Sequence, residues 1–410
     1  MRIAIASRIF NPEPSAASFR LQALAEALAE RGDDVTVLTV QPPRQIVNAA
    51  AAGKNGSQHT LANVTGEIPT VVEPQKFRVR RFPVLRDRNG YVRGYVQYLS
   101  FDVPLFFRIL FGKKRNLIIA EPPPTTGLFV RLAAAVRRTP YVYYAADIWS
   151  DAASQTGAPS WMLDVVRRIE LFAWKGARLV LSVSDGVTMR LAELGVTENV
   201  ATIGNGVNAR EFVRGVAVGT AHAPAHPEFV YAGTASEWHG ADVFVRALPR
   251  VLAERPDVVL RFIGGGSERE AIEALADDNG VSHAVRFEPV RGPAELAPVL
   301  HGAVAALASV RPGSGYDFAF PTKLYSAAVC GAPLIYAGTG PGQPFARTEV
   351  DGAPIGVAVG LEPGEVAEAM LAALQRPHDA ARRSRVSSWA MHSVSLEGVA
   401  ARAVAEISRL

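Results

Sequence analysis

What this chain of 410 residues has least of is cysteine. Cys330 alone excludes an internal disulfide and any cysteine-based metal cluster, accords with a reducing compartment, and reads as core packing. No apolar run approaches the length that spans a bilayer, and MRIAIASRIF has too short an apolar core for a signal peptide, so a cytoplasmic protein is expected. The loop after the first strand lacks G-x-G-x-x-G, and no acidic residue ends the second strand, which removes the fingerprint of a nicotinamide or flavin site. Gly264-Gly265-Gly266 has no Walker lysine after it, so by itself it is a weak phosphate signal. Disorder does not fit 49% hydrophobic, 8% aromatic and 20% charged residues, while a mean hydropathy of +0.11 leans towards a greasy surface.

What is present is a repeated α/β pattern. Residues 2–7 form a continuous apolar strand, followed by the turn-rich NPEPSAAS and a helix with Leu21, Leu24, Ala25 and Leu28 at helical spacing, closed by Gly32. A second apolar strand at 35–40 completes a β-α-β unit of the kind that needs a parallel sheet covered on both faces. Residues 42–74, with AAAAGKNGSQ inside, read as a long insertion that is either functional or disordered. Strands at 116–120, 141–146, 179–183 and 201–203 continue the sheet, with helices such as 160–175 between them. A second alternating series follows, with strands at 229–232, 258–263, 285–287, 303–308 and 334–336 and helices at 241–255 and 268–278. The fold class expected is therefore α/β, two facing Rossmann-like domains with an interdomain cleft. The boundaries are 1–208 for the first domain, 209–227 for a Gly-, Ala-, Pro- and His-rich linker and 228–386 for the second, with a C-terminal helix at 387–410 packing back on the first.

Residues 74–115 are the compositional anomaly. Eleven Lys or Arg stand against Asp87 and Asp102, a local charge of +9 in a chain whose total is +4, so the remainder carries −5. Tyr91, Tyr95, Tyr98, Phe101, Phe106, Phe107 and Phe111 are interleaved with these cations, which suits the boundary between lipid headgroups and acyl chains. No nucleic-acid motif accompanies the patch, so an anionic membrane surface is the partner expected and nucleic acid is not; the plain alternative is a solvated face.

The stretch from Gly313 to Gly338 reads as loop, short helix, stop and buried strand, with Pro321 suited to a first helical turn and Gly331 and Pro333 ending the helix. Lys323 in that first turn opposes the helix dipole, unless an anion shares the position; a solvated surface lysine is the other reading. At the end of the strand at 141–146, Asp147 in AADIWSD stands where open α/β sheets bind ligands, with a helix cap as its alternative.

In order along the chain, SDGVTMRLAELGV, IGNGVN, YAGTASEWHGADVFVRAL, FIGGGSERE, VRFEPV and PTKLYSAAVCGAPLIYAG resemble glycosyltransferase family 4, the retaining, nucleotide-sugar-dependent enzymes of GT-B fold. ADIWSD is most similar to the D-x-W-P-E segment of members that build lipid-linked polysaccharide. The resemblance covers nearly the whole chain and implies transfer of a sugar from a nucleotide-sugar donor to a lipid-linked or glycan acceptor, without a metal or other cofactor, by a peripheral protein on the inner face of the cell membrane. It implies a base near Glu288, Pro289 and Val290, a diphosphate near Thr234, His239, Gly240, Gly265 and Lys323, and a sugar near Ser314, Gly315 and Asp317, with Pro321, Leu324 and Ser326 completing the donor wall. The acceptor falls near Ser15, Arg20, Asp147 and Trp149, with Asp147 and Lys323 as the catalytic pair.

Two departures accompany the resemblance. The family's paired glutamates are Phe318 and Ser326 here, and its Arg and Lys on the diphosphate are Thr234 and His239. A sugar-nucleotide 2-epimerase-like isomerase and a non-catalytic sugar-nucleotide-binding subunit are the alternative functions. The first needs an acid/base array that the sequence does not display; the second is suggested by the missing glutamates.

Overall fold

The computed structural model describes residues 1–410 except 14, 44–75, 88–91, 93, 155–158, 220–223, 315–316, 318–319 and 377–378. The insertion expected at 42–74 lies, from residue 44 onward, outside the described residues. Two compact units emerge, one built from the described residues up to Asn205 together with Leu396–Leu410, the other from Gly206–Ser395.

The first unit runs β1 (Arg2–Ala6), α1 (Ala16–Glu30), β2 (Asp34–Val40), β3 (Arg78–Phe82), α2 (Tyr95–Phe111), β4 (Leu117–Ala120), α3 (Pro124–Arg137), β5 (Tyr141–Ala145), α4 (Trp149–Ser154), α5 (Ser160–Lys175), β6 (Leu179–Ser182), α6 (Asp185–Glu193) and β7 (Val200–Thr202). The strands form a parallel sheet in the order β3-β2-β1-β4-β5-β6-β7. Its central strands are apolar throughout because both faces are covered: Ile3 and Ile5 meet Leu21 and Leu24 of α1, while Ala4 and Ala6 meet Phe101 and Leu105 of α2 and Val130 of α3. Strand order reverses between β1 and β4, so Ser7 and Glu121, just past their carboxyl ends, stand at the position where such sheets hold ligands.

The second unit runs α7 (Ala209–Gly219), β8 (Glu228–Ala232), a 3₁₀ turn (Glu237–His239), α8 (Asp242–Glu254), β9 (Val259–Ile263), α9 (Arg269–Asp278), β10 (Val285–Glu288), α10 (Pro293–Gly302), β11 (Ala305–Val310), α11 (Lys323–Val329), β12 (Leu334–Gly338), α12 (Gly342–Ala346), the hairpin β13 (Glu349–Val350) and β14 (Ala353–Pro354), β15 (Gly356–Val359), α13 (Pro363–Leu374) and α14 (Ala380–Ser393). Its parallel sheet has the order β10-β9-β8-β11-β12-β15, which puts the reversal between β8 and β11. Each unit is thus a Rossmann-like layer sandwich, as the alternating apolar runs predict.

The joints differ from the expected boundaries. Residues 209–219, expected as linker, are the helix α7, because Ala209, Phe212 and Val216 form an apolar stripe packed on the second core. The C-terminal segment is two helices. Trp389 on α14 packs against Phe345 in the second unit, at 5.9 Å between rings, and only α15 (Leu396–Ser408) joins the first, laying Leu396 and Ala400 on Ala23 of α1. Between them Val394 gives its carbonyl to the amide of Val207 at 3.0 Å, so backbone pairing interrupts the helix. Pro321 also falls outside its helix, since Thr322 is the cap and Lys323 the first residue of α11.

Candidate active site

In the second unit the carboxyl ends of β8, β9 and β11 converge with the start of α11. Half-buried Lys323 lays its ammonium on the ring of Tyr231, 3.8 Å from the centroid, and donates to the Tyr231 hydroxyl and to the Thr234 carbonyl at 3.1 Å. Among the described residues no carboxylate lies within ion-pair distance, and burial holds its pKa well below the usual lysine range. A cation compensated only by neutral oxygens and a π face is set to receive an anion. The seven-residue helix contributes little dipole of its own, so the side chain is the anion-binding feature, not the helix terminus.

His239 is buried at the end of the 3₁₀ turn, where its Nδ1 accepts from the Ser236 amide at 3.1 Å. Nδ1 as acceptor leaves the proton on Nε2. Burial and then the charge of Lys323 push its pKa down to about 3, so the imidazole is a neutral donor at pH 7 rather than the second cation that a diphosphate site suggests. Between pH 6.5 and about 3 the unfolded chain binds a proton that the folded one refuses, so this group's stabilising contribution is full above 6.5 and is lost as pH falls. His239→Asn, whose side-chain oxygen can still accept from Ser236, is expected to flatten the fall in melting temperature between pH 6.5 and 4; an unchanged profile would remove His239 from this account.

The glycine triplet is explained by two close approaches. A Cβ on Gly264 would overlap the Gly233 carbonyl and one on Gly266 the Ala235 carbonyl, both at positive φ, whereas Gly265 faces open space. The loop is thereby pressed on the β8 turn, and Ala235 N–H donates to the Gly265 carbonyl at 2.8 Å. A small pocket beside it is lined in part by Gly233, Gly264, Gly265, Arg269, Phe262 and Phe287.

The remaining expected donor residues divide by what they touch. The Glu288 carboxylate is engaged by Arg261 at 2.6 Å and Arg291 at 2.5 Å and its carbonyl accepts from Gly264 N–H and Arg269, while the neighbouring Pro289 and Val290 are exposed. Asp317 accepts from the Gly313 amide at 3.0 Å and the Thr339 hydroxyl at 2.9 Å, which ties the loop of Ser314 to the end of β12. Pro321 and Leu324 are buried, Gly240 takes a left-handed turn at φ +64, and Ser326 is half-buried on α11. Gly315 and Phe318 lie outside the described residues. Sequence reading missed Tyr231, an apparent core residue whose hydroxyl ends at Thr234, and Arg311, which follows β11 and reaches Asp242 at 2.7 Å and the Glu237 carbonyl at 3.2 Å.

The first unit carries a second polar cluster at its own strand reversal. Arg20 and Glu121 form a buried ion pair at 2.6 Å, the Ser7 hydroxyl donates to Glu121 at 2.7 Å, and the Arg20 guanidinium lies 4.9 Å over the Tyr144 ring. Ser15 is occupied as the cap of α1, accepting from Ser18 N–H at 3.0 Å. Asp147 is exposed past β5 and does not cap α4. That task falls to Glu170 of α5, which accepts from Trp149 and Ser150 N–H at 2.6 and 3.0 Å. Trp149 meets Tyr98 edge to face at 5.9 Å.

Comparison with known families decides the lineage. Residues 16–206 match the family described as Glycosyl transferase 4-like domain, and residues 226–376 match Glycosyl transferases group 1. The chain belongs to the family-4 glycosyltransferases. A 117-residue stretch is 37% identical to a GDP-mannose-dependent alpha-(1-6)-phosphatidylinositol monomannoside mannosyltransferase of Mycolicibacterium smegmatis, over 28% of this chain and 29% of that protein. A 149-residue stretch is 32% identical to a D-inositol 3-phosphate glycosyltransferase of Corynebacterium jeikeium, over 34% and 33%. The glycosyltransferase chain is thus matched to about a third of the length of these relatives. Among solved structures, Anabaena Alr3699/HepE in complex with UDP superposes with a TM-score of 0.68 at 15% identity over 100% of both chains. WaaG, a glycosyltransferase involved in lipopolysaccharide biosynthesis, superposes with 0.57 at 15% over 98% of each. These likenesses carry the fold, and this glycosyltransferase shares it.

Proposed function

We propose that this glycosyltransferase moves a sugar, with retention of configuration, from a nucleotide-sugar held by the second unit to a lipid-linked acceptor received by the first. The observation that carries the reading is Lys323, a cation with no carboxylate in ion-pair distance among the described residues, at the strand reversal of the second sheet. Cleaving the bond between the anomeric carbon and the phosphate oxygen leaves negative charge on the departing nucleoside diphosphate, and Lys323, helped by the neutral His239 and the open backbone at Gly265, stabilises it. The acceptor oxygen bonds to the same carbon on the same face, and its proton passes to the departing phosphate oxygen, which balances the step without a protein nucleophile. Asp147, an exposed carboxylate beside a helix that Glu170 caps instead, orients the acceptor hydroxyl.

A lipid acceptor is supported by the relatives that act on phosphatidylinositol mannosides and by α2. Its exposed face is a stripe of Leu99, Val103, Phe107 and Phe111, the last 79% exposed, ending at the exposed Lys113 and Lys114. No helix among the described residues is long and apolar enough to cross a membrane, so the stripe suits seating on an anionic leaflet, on the cytoplasmic side in this reading.

The test is a thermal-shift comparison of GDP, UDP, GDP-mannose and UDP-glucose, followed by transfer of labelled sugar to vesicles containing phosphatidylinositol. One nucleotide and its sugar are expected to raise the melting temperature, with label appearing in lipid and the anomeric configuration retained. Inverted product would refute the mechanism, and no shift with any nucleotide would refute the donor site.

A further inference from the structure

We infer that α2 is the positioning element of the acceptor end: Tyr98 and Asp102, one turn apart on its inward face, hold the loops after β1, β4 and β5 in place. The inference rests on the acceptor reading given above for those loops. Residues at i and i+4 share a helix face, and here that face carries Tyr98, Asp102 and Leu105 while Leu99, Val103 and Phe107 point away to solvent.

Each loop is reached by a separate contact. From the β1 loop, Arg8 lies over the Tyr98 ring, 4.1 Å from its centroid, and donates to the Val92 carbonyl at 3.0 Å. On the β5 side, the Tyr98 ring meets Trp149, the second residue after Asp147. For the β4 loop, Asp102 is fully buried and accepts the hydroxyls of Thr125 and Thr126, both at 2.6 Å, at the first turn of α3 and directly beyond Glu121-Pro122-Pro123-Pro124. Burial disfavours the charged carboxylate there, and the two threonine hydroxyls offset part of that cost. The same helix thus shows an apolar stripe outward and grips the three loops of the polar cluster inward. Seating the stripe on a lipid surface fixes α2, and with it the loops that carry Ser7, Glu121 and Asp147.

Hydrogen exchange on the full chain tests this without any substrate, which keeps its outcome separate from that of the transfer assay. Loss of an edge-to-face aromatic pair together with a cation–π contact is of the size that changes local opening about 10-fold. Tyr98→Leu is expected to speed exchange of residues 146–151 by that factor while exchange in Gly206–Ser395 stays unchanged. Tyr98→Phe, which keeps the ring, is expected to restore the slow rate. Asp102→Asn should speed exchange of 121–127 instead. Vesicles of phosphatidylglycerol and phosphatidylcholine should slow exchange of 146–151 in the wild type and not in Tyr98→Leu. Unchanged exchange of 146–151 in Tyr98→Leu, or faster exchange equally in Tyr98→Phe, would overturn the positioning role. Slowing confined to 95–111 in the wild type would overturn its coupling to the surface.

Discussion

Replacing Lys323 with alanine is expected to lower kcat by about 10²–10³-fold, the usual cost of removing one preorganised group from a developing negative charge, while the chain stays folded. Stability should be nearly unchanged, because the ammonium is half-buried against Tyr231 and Thr234 without a carboxylate and its removal relieves desolvation rather than breaking an ion pair. The Tyr231 hydroxyl retains the Thr234 carbonyl at 3.0 Å, so the turn after β8 keeps its anchor. The lowered pKa of Lys323 adds a second readout. An incoming diphosphate favours the charged ammonium, so affinity weakens as pH rises through the lowered value of the free protein. Lys323→Arg, charged at every accessible pH, should lose that dependence. Wild-type kcat in Lys323→Ala would end the diphosphate role.

Much of this was readable in the chain because parallel sheets covered on both faces write themselves as largely apolar runs; β4 and β5 are apolar throughout, and β2 and β9 stay legible although Thr36 and Thr39 interrupt the first and Arg261 the second. What escaped the sequence had other causes. Strand β3 is an edge strand whose Arg78 and Arg80 alternate with Val79, so it reads as part of a basic surface segment although it pairs with β2 in register. Helix α7 was hidden by a composition that looks like a linker, yet Ala209, Phe212 and Val216 have helical spacing, and its Gly215 leaves room for the backbone of Ala294 on α10. The site shows the same division. Lys323 was legible because a cation in a first helical turn is locally odd, but its partner Tyr231 lies 92 positions away in what looks like core. Asp147 carried two readings that local sequence could not separate, since the cap of α4 comes from Glu170, 21 positions beyond Trp149.

The second large effect is expected at Glu121. Its carboxylate is 2% exposed and closes the ion pair with Arg20 at the strand reversal of the first sheet. Glu121→Gln leaves a buried guanidinium facing a neutral amide, with the Tyr144 face and the more distant charge of Asp147 as its other compensation, and breaking a buried pair from one side costs about 3–5 kcal/mol. For a unit of this size that is a fall in melting temperature of roughly 10 °C, read on the transition of the first unit. Removing both charges is a different perturbation, because no orphaned ion remains; Arg20→Met with Glu121→Met should recover most of the lost stability. The pair of variants also separates scaffold from acceptor binding. If Arg20 serves only to neutralise Glu121, the double variant regains activity along with its melting temperature. If Arg20 also receives the acceptor, as the family resemblance implies, the double variant is stable and inactive, with the nucleotide-induced thermal shift of the second unit intact. Recovery of both would remove Arg20 from the acceptor end and leave Asp147 to orient the acceptor without it.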